Sequence, residues 1–243
     1  MTDPSDIKVE VLADPAALAE RVAAWMLELA LAKAGTFAIC LSGGSTPKAL
    51  YERLAQAAYR HAFPWERTHL FWGDERFVPK VDALSNYRMV HDALLAHAPI
   101  PAANIHAVET EGLSPEESAA AYARDLQTFY GDETLDPARP LFDVNILGLG
   151  QDGHTASLFP GTAVLDEREK WAAAVIGAKA EARITLTYPV LDSSRYAAFL
   201  VDGPGKAEIL KTLLAGDQSL PAAHVHPVGA LLLFADTAAK GGS

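Results

Sequence analysis

The chain is poor in cysteine: Cys40 is the single one among 243 residues. One thiol excludes internal disulfides and cysteine-rich metal sites, and its place inside the apolar stretch 37–41 reads as packing rather than reactivity. Positive charge is scarce as well. Lys and Arg number 20 against 31 Asp and Glu, a formal charge of −11. That balance argues against general nucleic-acid or anionic-membrane binding, because both need a basic face. No run approaches the ~18 uncharged apolar residues of a membrane span. Nor does a basic segment followed by an apolar one mark a leader, so the cytoplasm is the expected location. Fixed-period repeats and long polar linkers are missing too, and one domain over residues 1–243 is expected, as a monomer or weak homodimer. Any anionic ligand must find its cations locally.

What the chain does have is ordinary globular composition, 50% hydrophobic and 21% charged, in segments of alternating period. Residues 7–12, 36–41, 68–72, 142–149, 183–187, 196–201 and 230–234 read as strands. Between them, residues 15–33, closed by Gly35, and 47–59, with Pro47 in the first turn, have helical spacing. So do a segment from the cap Ser85 to about residue 97, one from the Ser114–Glu117 capping box to about 130, and 206–214, closed by Gly216. Strands alternating with helices predict an α/β fold, a single Rossmann-like domain with a mostly parallel sheet and helices on both faces. Ligands of such sheets bind at the carboxyl ends of the strands.

Three predicted strand ends carry chemistry. After 36–41 comes Ser42-Gly43-Gly44-Ser45-Thr46-Pro47, where glycines admit a ligand to the backbone and a helix start points free N–H groups at it, an arrangement suited to an anion. It is neither a Walker loop nor a nucleophile elbow, and a plain Gly-Ser turn before a capped helix fits equally well. After 68–72 comes Gly73-Asp74-Glu75-Arg76; solvated charge is the ordinary reading, but at a sheet edge Arg76 could hold a phosphate or an oxyanion. After 141–149 comes a Gly-rich turn holding Asp152 and His154, a carboxylate and an imidazole placed to activate water; a turn Asp beside a capping His is the plainer alternative. Gly148, Gly150 and Gly153 also satisfy GxGxxG, but Pro160 and Gly161 interrupt the long helix that a dinucleotide site needs, and the DEREK stretch that follows is too polar for its second strand. His224 and His226, two apart, are read as loop histidines rather than metal ligands, and Ser157 as a polar residue in the first turn of a helix.

Taken as a set, LSGGSTP (41–47), FWGDERFVP (71–79), SNYRM (85–89), GLGQDGHTASLFPG (148–161), RITLTYPVL (183–191) and GPGKAEIL (203–210) resemble the 6-phosphogluconolactonase family in content and order, over nearly the whole chain. The wider superfamily includes glucosamine-6-phosphate deaminases, which carry an Asn-Glu segment where this chain has Ser157-Leu158-Phe159-Pro160; that departure favours the lactonase. The resemblance implies hydrolysis of 6-phospho-D-glucono-1,5-lactone to 6-phosphogluconate, the second step of the oxidative pentose phosphate pathway. It implies His154 as general base, kept neutral by a helix start, and Asp152 as the group that orients its ring or partly offsets the helix-start effect. Arg76 is expected at the oxyanion or the substrate, with Asp74 holding Arg76 or binding sugar hydroxyls. Ser42, Gly43, Gly44, Ser45 and Thr46 are expected around the phosphate with Arg183 and Lys206. No cofactor or metal is expected. The alternatives are a deaminase-type isomerase and a non-catalytic sugar-phosphate sensor.

Overall fold

The structure is a computed structural model and describes residues 7–241. Seven strands form one sheet: β1 (Lys8–Leu12), β2 (Phe37–Leu41), β3 (Thr68–Trp72), β5 (Ile105–His106), β6 (Phe142–Gly148), β9 (Ser194–Val201) and β10 (Ala230–Asp236). Their order is β1-β10-β9-β6-β2-β3-β5, and every neighbouring pair is parallel. All five side chains of β2 and the first six of β6 are buried. Successive strand residues face opposite sides, so the middle of the sheet is covered on both faces, which is why these strands are continuously apolar.

The connecting helices are α1 (Pro15–Ala32), α2 (Ser45–Leu54), α3 (Ala57–Arg60), α4 (Asn86–Val90), α5 (Pro115–Tyr130), α6 (Tyr188–Asp192) and α7 (Ala207–Leu214). Asp14 caps α1 by accepting the Ala17 N–H at 2.8 Å, and Leu18, Val22, Trp25 and Met26 form its buried stripe. Both halves of the Ser114–Glu117 capping box form at α5, and Gly131 closes that helix in the left-handed region at φ 79°. The expected helix 47–59 begins two residues earlier and divides into α2 and α3. The helix capped by Ser85 changes to a π turn over His91–Leu95.

One topological fact positions the site. From β2 the chain runs outward through β3 to β5, then returns to lay β6 on the other side of β2 and runs outward again through β9 and β10. β2 and β6 pair through Ile39↔Val144 and Cys40↔Asn145, and the loops leaving their carboxyl ends diverge. Open α/β sheets hold their ligands at such a switch point.

A second, antiparallel sheet of β4 (Asp74–Arg76), β8 (Arg183–Leu186) and β7 (Ala172–Val175) adjoins that edge. Gly73 makes the transition: its N–H still bonds Leu41 of β2 at 2.8 Å, while its carbonyl accepts from Leu186 of β8 at 2.9 Å. Two expectations are corrected here. The 74–76 segment is a strand rather than a loop, and 183–187 belongs to this smaller sheet rather than the large one. Hydrophobic periodicity reports that a strand exists, not which sheet receives it.

Candidate active site

The loop after β2 is pinned from below. The Tyr51 hydroxyl donates to the Ser42 carbonyl and accepts from the Ser42 N–H, both at 2.9 Å, and burial pushes its pKa well above the usual value. Gly43 has no room for a side chain, since a Cβ there would lie 2.1 Å from Asn86 Oδ1. Gly44 adopts φ 106° and is the N-cap of α2 without a capping side chain, so the first N–H groups of a ten-residue helix face the loop unfilled. Thr46 Oγ1 donates to Asp202, just past β9, at 2.6 Å.

β4 alternates as a strand must. Asp74 and Arg76 line the cleft, while Glu75 turns the other way into a pocket of donors. Glu75 accepts the N–H groups of Arg76, Asn86 and Tyr87, each at 2.7 Å, and the Ser85 hydroxyl at 3.2 Å. Burial raises its carboxyl pKa, with those backbone donors pulling the other way. Asp74 accepts the Ser157 hydroxyl at 2.6 Å and Asn86 Nδ2 at 3.4 Å. The Arg76 guanidinium donates instead to the Leu84 carbonyl at 2.7 Å, which corrects the expectation that Asp74 holds Arg76.

Beyond β6, the Gly-rich turn closes on itself, with the Gly150 N–H donating to the His154 carbonyl at 2.8 Å. Asp152 Oδ1 lies in hydrogen-bond contact with His154 Nδ1; an ionised carboxylate can only accept, so Nδ1 carries the donated hydrogen and a neutral ring has its lone pair at Nε2. Gly150 is necessary here, because a Cβ would sit 2.0 Å from His154 Nδ1. Burial tends to raise the Asp152 pKa, but the side-chain and backbone hydrogen bonds from His154 and the charge of Lys179 outweigh it and hold the carboxyl below its usual value. No helix follows. Thr155 and Leu158 form an isolated bridge, Ala156 takes φ 47°, and the Ser157 N–H bonds Thr185 of β8 at 3.2 Å. The expected helix start at His154, and with it a helical Ser157, is therefore wrong. Pro160 disfavours a helical residue before it, and Leu158 and Phe159 are drawn into the core instead.

These segments surround one cleft of about 330 Å³, within the ~300–1,000 Å³ range of small-ligand sites. Ser42, Gly43, Gly44, Ser45, Thr46, Asp74, Arg76, His154, Arg183 and Lys206 all line it, and Asp152 stands behind His154. Arg76 and Arg183 are direct cross-strand partners between β4 and β8. Like charges so placed repel one another unless an anion lies near. Arg183 is steadied by the Glu181 carbonyl at 2.9 Å, and Lys206 Nζ by the Leu149 carbonyl at 2.6 Å. Four cations line the cleft, Lys179 being the fourth, against the carboxylates of Asp74 and Asp202. The local cations that an acidic chain needs for an anion are thus in place.

Sequence reasoning missed Lys179 and Asp202 and read Ser157 only as a polar helix residue. Asp202 had a signal, its position at a strand's carboxyl end. Lys179 had none, because its approach depends on the β7–β8 pairing. His224, read as a loop residue, ends a short 3-10 turn over Pro221–His224 and bonds the Gln218 carbonyl at 2.8 Å; among the described residues no cluster of three metal-ligating side chains occurs. Cys40 is buried, with its thiol pushed well up by desolvation.

A switch-point cleft that joins an imidazole–carboxylate pair to a cationic cradle is that of an α/β protein handling a small anion. Comparison with known proteins narrows the class. Residues 13–233 match the family of glucosamine-6-phosphate isomerases/6-phosphogluconolactonase, and the chain belongs to it. It is 41% identical to a 6-phosphogluconolactonase of Nostoc sp. over 95% of this chain and 96% of that one. A solved 6-phosphogluconolactonase of Thermotoga maritima superposes with a TM-score of 0.81 at 31% identity, covering 95% of this chain and 99% of the other. A monomeric glucosamine-6-phosphate deaminase shares the fold, with a TM-score of 0.81 at 19% identity over 97% and 98% of the two chains.

Proposed function

We propose that this chain hydrolyses 6-phospho-D-glucono-1,5-lactone to 6-phospho-D-gluconate, the second step of the oxidative pentose phosphate pathway, and that residues 1–243 act as one domain in the cytoplasm. The observation that carries this reading is that His154, backed by Asp152, faces the same cleft as the uncapped start of α2. Among the described residues no helix is long and apolar enough to cross a membrane.

The substrate needs an anion clamp at one end and water activation at the other. Its phosphate lies on the N–H groups and hydroxyls of Ser42 to Thr46, with Lys206 and Arg183 as counter-charges. At the lactone end His154 Nε2 takes a proton from water as the oxygen attacks the carbonyl carbon. Arg76 stabilises the tetrahedral oxyanion, and Asp74, fixed by Ser157 and Asn86, accepts from sugar hydroxyls. Collapse breaks the bond to the ring oxygen, which receives the proton back from His154 as a free hydroxyl, and the new carboxylic acid then releases the second proton of the attacking water to solvent to become the carboxylate. No electron transfer occurs, and the chemistry as drawn calls on no cofactor.

Identity with the deaminases at the fold level does not extend to the segment after His154, where Ser157 supports Asp74 and no glutamate is present. A dehydrogenase-coupled or pH-stat assay with fresh lactone, corrected for spontaneous opening, tests the proposal. His154→Ala is expected to lower kcat by at least ~100-fold with KM little changed, and Lys206→Ala to act mainly on KM. Ammonia release from glucosamine 6-phosphate, or binding of 6-phosphogluconate without any rate acceleration, would replace this reading with the deaminase or the sensor.

A further inference from the structure

Of the four cations in the cleft, Lys179 has no part in the reaction as written. It stands in the turn that joins β7 to β8, where pairing ends at Val175↔Arg183. That turn is anchored, since Arg183 donates back to the Glu181 carbonyl at 2.9 Å and the Phe77 N–H to the Ala182 carbonyl at 2.9 Å. Lys179 Nζ lies 3.7 Å from Asp152 Oδ2 and 4.8 Å from the centre of the Phe159 ring, which is itself 4.7 Å from the His154 ring. One carboxylate thus serves two cation-capable partners, Oδ1 toward His154 and Oδ2 toward Lys179.

A carboxylate bonded to an imidazole alone favours the imidazolium, which cannot accept a proton. No helix start is present to oppose this, since none follows His154. A second fixed positive charge on the same carboxylate opposes it. We propose that Lys179 is a positioning residue that keeps His154 in its neutral, proton-accepting form by sharing the Asp152 carboxylate. The proposal rests on the reading of His154 as general base. The other charged groups on the same cleft are Asp74 and Arg76 from β4, Arg183 from β8, Asp202 after β9 and Lys206 before α7. Arg76, Arg183 and Lys206 are each held by a backbone carbonyl, Arg183 also by the Glu181 carboxylate at 3.4 Å, and Asp74 and Asp202 by hydroxyls. Lys179 is the cation placed on Asp152.

The Lys179 side chain is 43% exposed, so its charge is partly screened by solvent and its influence on Asp152 and His154 is salt-sensitive. The test is NMR titration of the His154 ring in the whole chain, assigned by loss of its signal in His154→Asn, alongside the pH profile of kcat/KM. Lys179→Met keeps an unbranched apolar side chain of similar length and removes the charge, with its contact to the Phe159 ring, whereas Lys179→Arg keeps the charge. The Met variant is expected to raise the His154 midpoint by about half a unit or more, to move the acid limb of the rate profile with it, and to lose most of this difference between ~0.05 M and ~0.5 M salt. The Arg variant is expected to restore the parent values. An unchanged midpoint in Lys179→Met overturns the proposal, whatever happens to the rate. A midpoint that moves while the acid limb stays fixed upholds the coupling and overturns His154 as the base.

Discussion

At the residue scale, the site is built where a side chain cannot be. Gly150 is outside the left-handed region, so alanine costs its backbone little there, but the added Cβ would stand 2.0 Å from His154 Nδ1 and 2.7 Å from Asp152 Oδ1. Both atoms belong to side chains that can swing aside. Gly150→Ala is therefore expected to leave the melting temperature within a few degrees of the parent while separating the imidazole from its carboxylate, with kcat down by at least ~10-fold. A variant of normal activity would show that the Asp152–His154 contact is dispensable. The residue types of this pair were legible from the chain, because a carboxylate and an imidazole after an apolar strand admit few chemistries. Their support was not. Ser157 reaches Asp74 across 83 positions of sequence, and no local pattern encodes such a bond.

At the element scale, periodicity identified the buried strands well and the short ones poorly. β2 and β6 announce themselves because both faces are covered, whereas β4, β5 and β7 are only three, two and four residues long, too short for a period to register. Helix α6 shows what else stays hidden. Its last residue, Asp192, accepts the His226 N–H at 2.7 Å, and its own carbonyl accepts from Val228 at 2.9 Å, fastening the 226–228 segment to the helix. Burial raises the Asp192 carboxyl to about 7 from 3.8, against the opposing pull of the His226 N–H and the Arg168 charge. A folded-state pKa above the unfolded one means that the folded chain holds this proton more tightly. The associated stability is complete below pH 3.8 and is lost as pH rises through about 7. Asp192→Asn keeps an acceptor for His226 without an ionisable proton. Its stability relative to the parent is expected to grow between about pH 4.5 and 8 by on the order of 2–4 kcal/mol, read from urea unfolding at several pH values. Parallel pH curves for the two proteins would mean that Asp192 ionises in the fold without penalty.

At the scale of the whole molecule, the charge distribution sets how an anion arrives. The chain totals −11, yet the cleft presents Arg76, Lys179, Arg183 and Lys206 against Asp74 and Asp202. The chain's composition implied that any cations for an anion must be local, but not that three separate segments supply them, Arg76 from β4, Lys179 and Arg183 from the β7–β8 turn and β8, and Lys206 from before α7. That convergence follows from the outward, return and outward-again path of the main sheet, together with the small sheet at its edge, and neither is written in local periodicity. The two fields have different ranges. At physiological salt the Debye length is ~8 Å, so the overall negative charge is largely screened from an approaching phosphate, while cations in direct contact with it are screened much less. Raising ionic strength from ~0.15 to ~0.5 M further weakens the cleft's pull more than it relieves residual repulsion from the distant surface. KM is accordingly expected to rise severalfold over that range with kcat nearly constant, and the slope of log KM against log salt to fall in Lys206→Ala, where one of the contacting charges is gone. A KM that drops as salt is added would mean that the −11 field, rather than the cleft, governs capture, and would separate the cationic lining from the phosphate role given to it here.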